Sequence, residues 1–169
     1  MPGYVIHVAI AQEYLKKHSK NEDKTKFIEG NIYPDLIKPK SQSHYGKSPA
    51  YTSLEGFLNN NTIDNSLDRG KFLHLIADYL FYNHYLDYLD KEELHNDYDI
   101  LNDDIIKKYD VKLPDIVKQY AFSKSGIPKI INLELVYKVI DEVSSLDMDI
   151  VAEEVKNGME KWKTYKNLI

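Results

Sequence analysis

Between Phe72 and Leu86 the chain reads FLHLIADYLFYNHYL, and apart from His74, Asp78, Asn83 and His84 this stretch is apolar on every side of a helical projection. A helix of that kind belongs in a protein core rather than on a surface. It therefore predicts a central buried helix, spanning roughly 64–90, with the rest of the chain wrapped around it. The flanking patterns are helical as well. Apolar residues recur at helical spacing over 4–19, 22–33, 49–60, 97–109, 114–122, 132–144 and 147–165, and no stretch alternates as a strand would. The expected fold is an all-α, compact multi-helix bundle formed as one domain over residues 1–169. Pro34 is expected to close the second helix. The segment DLIKPKSQSHYGKSP that follows, with two prolines, a glycine and no periodicity, reads as a long loop. Loops of that length in compact domains are often functional.

An ionised carboxylate inside such a helix has to be paired, neutralised or bound to a metal. Residues four apart share a helix face, so His74 and Asp78 either hydrogen-bond each other or grip one ion together. His84 lies about 9 Å further along the axis and roughly a third of a turn round, which suits a second ion nearby better than the same one. Other residues of the same chemistry are spread upstream and downstream. His7 sits on the apolar face of the first helix and is either a satisfied core histidine or a ligand. Asp35 follows a proline in GNIYPD, as an ordinary turn residue or as a carboxylate aimed from a helix end. His44 lies in the long loop. His95 and Asp99 form a second pair four residues apart, which reads equally as a solvated face or a helix cap.

Composition removes several function classes. There is no cysteine, so disulfides and thiolate chemistry are absent. Net charge is -5, which offers no basic field for long nucleic acid or an anionic membrane. The single arginine, Arg69, makes an arginine clamp for phosphate an unlikely design. No apolar run reaches the length of a membrane span, and the first twenty residues lack a basic leader. A cytoplasmic location is the expectation.

In order along the chain, His7, GNIYPD, SHYG and HLIADYLFYNH resemble the zinc-dependent phospholipase C family, whose distant relatives are the zinc nucleases specific for single strands. The resemblance covers about residues 4–100, and its sharpest element is H-x3-D-x5-H, filled by His74, Asp78 and His84. It implies a cluster of two or three zinc ions that activates water for phosphodiester hydrolysis. By resemblance, Asp35, His44, His74 and Asp78 hold one ion, and Asp78 bridges to another ion held with His7. His84, with His95 and Asp99, holds the remaining one. The family usually shows Glu and a slightly longer gap at this last pair. Secreted members also use an N-terminal tryptophan as a ligand, whereas the one tryptophan here is Trp162.

Histidine and carboxylate ligands without cysteine suit zinc, with iron or manganese as other choices. Adjacent ions can clamp both oxygens of an in-line displacement and supply the positive charge that arginines would otherwise bring. Asp35, with an oxygen free beside the bound water, is the candidate general base. Tyr33, Tyr45, Tyr79 and Tyr82 are candidates to line a pocket, with core packing as their other role. The expected substrate is a phospholipid headgroup or a small soluble phosphodiester. Two other functions fit the same pattern: a non-catalytic metal-binding or interaction protein, and an HD-type phosphohydrolase. The latter needs an adjacent His-Asp pair, and the chain contains none.

Overall fold

The central helix is buried as its sequence requires. In the computed structural model, which describes residues 3–18 and 21–168, α5 (Ser66–Leu80) has Phe72 through Leu80 buried without interruption. Around it lie α1 (Tyr4–Lys17), α2 (Lys24–Leu36), α3 (Ser41–His44), α4 (Leu54–Asn60), α6 (Lys91–Tyr109), α7 (Asp115–Lys118), α8 (Leu133–Ser145) and α9 (Met148–Lys156). The described residues contain no strand. One continuous apolar core runs from Val5 to Trp162, and each fully buried Leu, Ile or Phe in it contributes roughly 1.5–3 kcal/mol of hydrophobic stabilisation.

Helix starts follow local chemistry. Asp23, Ser53, Asn65, Asp90, Asn132 and Asp147 each accept a backbone N–H of the first turn of the helix they precede, as N-cap residues do. The polar break NNNTIDNS supplies one of them, Asn65. Asp90 moves the start of α6 forward to Lys91, so the DKEEL stretch is the first turn of a helix rather than a turn between two.

Several other boundaries differ from the sequence reading. The first helix ends at Lys17, and Ser19 lies outside the described residues. The second helix does not stop at Pro34 but continues to Leu36. A proline in the last turn breaks little of the ladder, and the Ser43 hydroxyl donates to the Pro34 carbonyl at 2.8 Å. Asp35 is therefore a helical residue, one turn after Asn31. The central helix ends in a π-helical turn, Phe81–Tyr85, instead of running to 90. Finally, α9 stops at Lys156, where Gly158 adopts φ of +70°, a conformation glycine takes without steric cost. The chain then returns as a 3-10 turn at Glu160–Trp162 against the central helix, where the Tyr79 hydroxyl is 2.8 Å from the carbonyls of both Lys161 and Thr164.

The closest helix crossing is between α2 and α5. A Cβ on Gly30 would lie 1.9 Å from the Leu67 carbonyl oxygen, and one on Gly70 would lie 2.1 Å from that of Phe27. The two glycines let the backbones touch. Further along the same helices stand Asn31 and Asp35, one and five residues after Gly30 on α2, and His74 and Asp78, four and eight residues after Gly70 on α5.

Candidate metal centre

Five side chains from four helices meet at this crossing. His7 comes from α1, Asp35 from α2, His44 from α3, and His74 and Asp78 from α5. His7, His44, His74 and Asp78 are fully buried and Asp35 is 5% exposed. The long loop of the sequence reading thus contains a short helix, α3, that turns His44 into the core.

Both carboxylates divide their oxygens between the same histidines. Asp78 Oδ2 lies 3.0 Å from His44 Nε2 and 3.4 Å from His74 Nε2, while its Oδ1 lies 3.3 Å from His7 Nε2. Asp35 Oδ1 lies 3.6 Å from His44 Nε2 and 3.7 Å from His74 Nε2, while its Oδ2 lies 3.9 Å from His7 Nε2. His44 and His74 present their Nε2 atoms to each other at 3.3 Å. The centre therefore has two poles, one at His44 and His74 and one at His7, spanned by two carboxylates.

The outer ring nitrogens fix which lone pairs face inward. His74 Nδ1 is 2.7 Å from the Asn31 carbonyl oxygen, and His44 Nδ1 is 3.2 Å from that of Lys40 and 2.9 Å from the Ser43 hydroxyl. A carbonyl only accepts, so each Nδ1 carries the proton and each Nε2 offers its lone pair to the centre. This is the arrangement that outer partners impose on metal-binding histidines.

Among the described residues, His7 Nδ1 and Nε2, Asp35 Oδ2 and both oxygens of Asp78 are buried with no hydrogen-bond partner. The short histidine–carboxylate separations lack the alignment of hydrogen bonds. Unsatisfied buried polar atoms are costly and scarce, and five in one place mark a site that a cation could satisfy. The donor atoms stand 3.0–3.7 Å apart around the His44–His74 pole. Ligands about 2.1 Å from a tetrahedral ion would be about 3.4 Å apart. Two groups of three have ligand atoms all within 4.8 Å of one another: His7, Asp35 and His74, and His44, His74 and Asp78. The cluster fits a metal ion at either pole.

Without metal, burial and the neighbouring charges shift the protonation of the cluster in different directions. Burial lowers the His7 pKa to about 4, helped by the charge of His74, whose ring stacks on it with centres 3.7 Å apart. Burial works to lower that of His74 too, but Asp35 and Asp78 outweigh it and the value is raised. Asp78 is held well below the carboxylate range: burial opposes its ionisation, and His74, His44 and His7 overcome it.

The remaining candidates lie elsewhere. His84 is exposed at the π-helical turn, with its ring 6.2 Å from that of Tyr79. His95 and Asp99 line a cleft of about 520 Å³ that also reaches Asp35. Among the described residues, His84, His95 and Asp99 do not come together as ligands. The π-helical turn ends the central helix early and turns His84 toward solvent, away from that cleft. The tyrosines are also redistributed. Tyr79 and Tyr82 are core residues, Tyr33 and Tyr45 flank a separate hollow, and the cleft is lined by Tyr4, Tyr98 and Tyr120.

Two residues near the centre carried no signal of their own in the sequence. Asn31 orients His74, and its spacing of four from Asp35 places both on one face. Lys40 donates to the Asp35 carbonyl at 2.6 Å and to Oδ1 at 3.1 Å.

In comparison with known proteins, the chain matches no protein-family model, no curated protein and no solved structure. The site defines the class: an all-α protein with a buried His/Asp cluster that could hold a metal ion. Among the described residues, no helix is long and apolar enough to cross a membrane.

Proposed function

We propose that the protein is a zinc-dependent hydrolase of phosphodiesters, similar in its ligand order to the zinc-dependent phospholipase C family. The observation that carries this is the division of Asp35 and Asp78 between two histidine poles, with one oxygen of each toward His44 and His74 and the other toward His7. Carboxylates that span two poles suit a pair of neighbouring ions. His, Asp and no Cys suit zinc best, with iron or manganese as substitutes. When bound, such ions lower the pKa of a coordinated water and neutralise phosphate charge.

The residues of the chain supply the rest. His44 and His74 are locked by their Nδ1 partners, so the donor geometry is preorganised. Asp35 is the one member of the cluster among the residues that line the cleft, with its carboxylate itself buried. It is the residue placed to receive a proton from an attacking water there. The apolar walls of the cleft, with Tyr4, Tyr120 and Phe122, offer a surface for the organic part of a small ester.

The test is metal content per chain after purification without chelator, together with turnover of bis(p-nitrophenyl) phosphate. Protein containing metal that turns over this ester, and loses turnover in Asp35→Asn at unchanged thermal midpoint, supports the reading. Metal without turnover favours the second reading, a non-catalytic metal-binding protein. The depth of the cluster speaks for that second reading, since the side chains of all five members are at most 1% exposed.

A further inference from the structure

We propose that Lys40 and Tyr98 form an oxyanion site at the floor of the cleft, which takes the phosphoryl group of the substrate beside Asp35. The inference deepens the hydrolase reading and rests on it for the identity of the ligand. A phosphoryl oxygen that is not on a metal is held best by charge-assisted hydrogen bonds. The one arginine cannot serve. Arg69 is buried, with Nε 2.5 Å from Glu22 Oε1, Nη1 3.0 Å from Asp149 Oδ1 and Nη2 3.5 Å from the Tyr14 hydroxyl. The cations that line the cleft beside Asp35 are Lys38 and Lys40.

Lys40 is placed more closely than a surface lysine. Its ammonium holds the Asp35 carbonyl at 2.6 Å and Oδ1 at 3.1 Å, and its side chain keeps 26% of its surface open. An ammonium has three protons, and the described residues engage two. The third is left for a ligand, on a side chain that lines the cleft and is in contact with the buried Asp35 carboxylate.

Tyr98 is an independent observation. It is 95% buried, lines the same cleft, and its hydroxyl has no hydrogen-bond partner among the described residues. A buried hydroxyl left unpaired costs about 1–3 kcal/mol, and an incoming acceptor would relieve that cost. A neutral phenol can donate to an anion, and an ammonium can only donate. Together they select a group that accepts, a phosphoryl oxyanion above all. Asp99, carried by α6, lies in the same lining and keeps an anion toward the lysine wall.

The experiment is titration of zinc-loaded protein with inorganic phosphate, followed by phosphorus NMR, for the parent, Lys40→Met, Lys40→Arg and Tyr98→Phe. Loss of a hydrogen bond to a charged group predicts about tenfold or greater weakening in Lys40→Met and about threefold to tenfold in Tyr98→Phe. Lys40→Arg keeps binding near the parent, and zinc per chain stays at the parent value in all three. Parent protein that binds no phosphate, or Lys40→Met and Tyr98→Phe that both bind it as the parent does, would overturn the site. So would zinc loss in Lys40→Met, since Lys40 would then act through Asp35 alone. Displacement by glycerophosphocholine or by dimethyl phosphate shows whether a lipid headgroup or a plain diester fits better. These binding results stand apart from the turnover test, so failure of the hydrolase reading and failure of the oxyanion site give different outcomes.

Discussion

Gly30 and Gly70 are reciprocal: each occupies the point where the backbone of the opposing helix passes, Leu67 over Gly30 and Phe27 over Gly70. The contact sets the distance between α2 and α5, and through it the distance from Asp35 to His74 and Asp78. Three links meet here: a sequence choice, a close crossing and the spacing of ligands.

Gly70→Ala is expected to open that crossing. Its Cβ would meet backbone atoms, Phe27 O at 2.1 Å and Asn31 N at 2.9 Å, which cannot turn aside as a side chain can. Overpacking of this kind costs about 3 kcal/mol, or a fall of about 6–12 °C in thermal midpoint for a chain of this size. Zinc content falls with it. Gly3→Ala is the control, since its Cβ would meet only the Tyr98 ring at 3.4–3.5 Å. Its midpoint stays within about 1 °C of the parent, because these are ordinary van der Waals contacts with a side chain. Equal midpoints for the two variants would show that the crossing is not fixed by glycine.

His74→Ala and His84→Ala separate the members of the H-x3-D-x5-H motif. His74 belongs to both groups of potential ligands, so its removal takes all bound metal. His84 is exposed beside Tyr79, so His84→Ala retains the full metal count. Metal counted by mass spectrometry under native conditions decides the matter, and loss of an ion from His84→Ala would restore His84 as a ligand.

Much of this centre was legible because it followed from helical period. His74 and Asp78 share a face at any helix of their length, and an apolar helix makes their pairing or metal binding unavoidable. The all-α fold followed from the same periodicity. His44 was the hardest to place, since nothing local distinguishes a solvated loop histidine from one that α3 turns inward. The π-helical turn was equally hidden: Phe81–Tyr85 are good helix residues, and only tertiary packing decides that their hydrogen bonds shift. Asp97 shows the same limit. It reads as one acidic residue among several on α6, yet it is fully buried and accepts the backbone N–H groups of Lys129, Ile130 and Ile131. Such a contact, 32 or more residues away in sequence, has no local signature.

Asp97→Asn tests that latch. The amide keeps one acceptor oxygen for three donors and places an NH2 group among them, so at least one buried N–H loses its partner. The expected cost is about 2–3 kcal/mol, read as a lower urea midpoint with unchanged slope. The zinc count of the folded protein does not change, because Asp97 anchors the 129–131 segment and is not a ligand. A urea midpoint equal to that of the parent would show that the three N–H groups find other partners.

Without metal, the stability of the protein depends on pH with two limbs of opposite sign. His7 is held neutral, with a pKa of about 4 against 6.5 when unfolded. The unfolded chain therefore binds this proton more readily, and the contribution of His7 is fully present above pH 6.5 and lost as pH falls toward 4. Integrated over that window it amounts to about 3 kcal/mol. Asp78, held low by His74 and its neighbours, has the same sign at lower pH, with stability present above its unfolded value of 3.8 and lost as pH falls. His74 has the opposite sign. Its pKa is raised by Asp35 and Asp78 against the effect of burial, so its contribution is complete below pH 6.5 and lost as pH rises through the folded value. The metal-free protein is therefore most stable near pH 6.5, with a thermal midpoint that falls on either side. Zinc takes the place of the His74 proton, so saturating zinc removes the alkaline limb, and binding near pH 6.5 releases a proton. Thermal midpoints from pH 4.5 to 8.5, with chelator and with zinc, check this. A single limb in chelator, rising throughout with pH, would show that His74 carries no proton in the folded state.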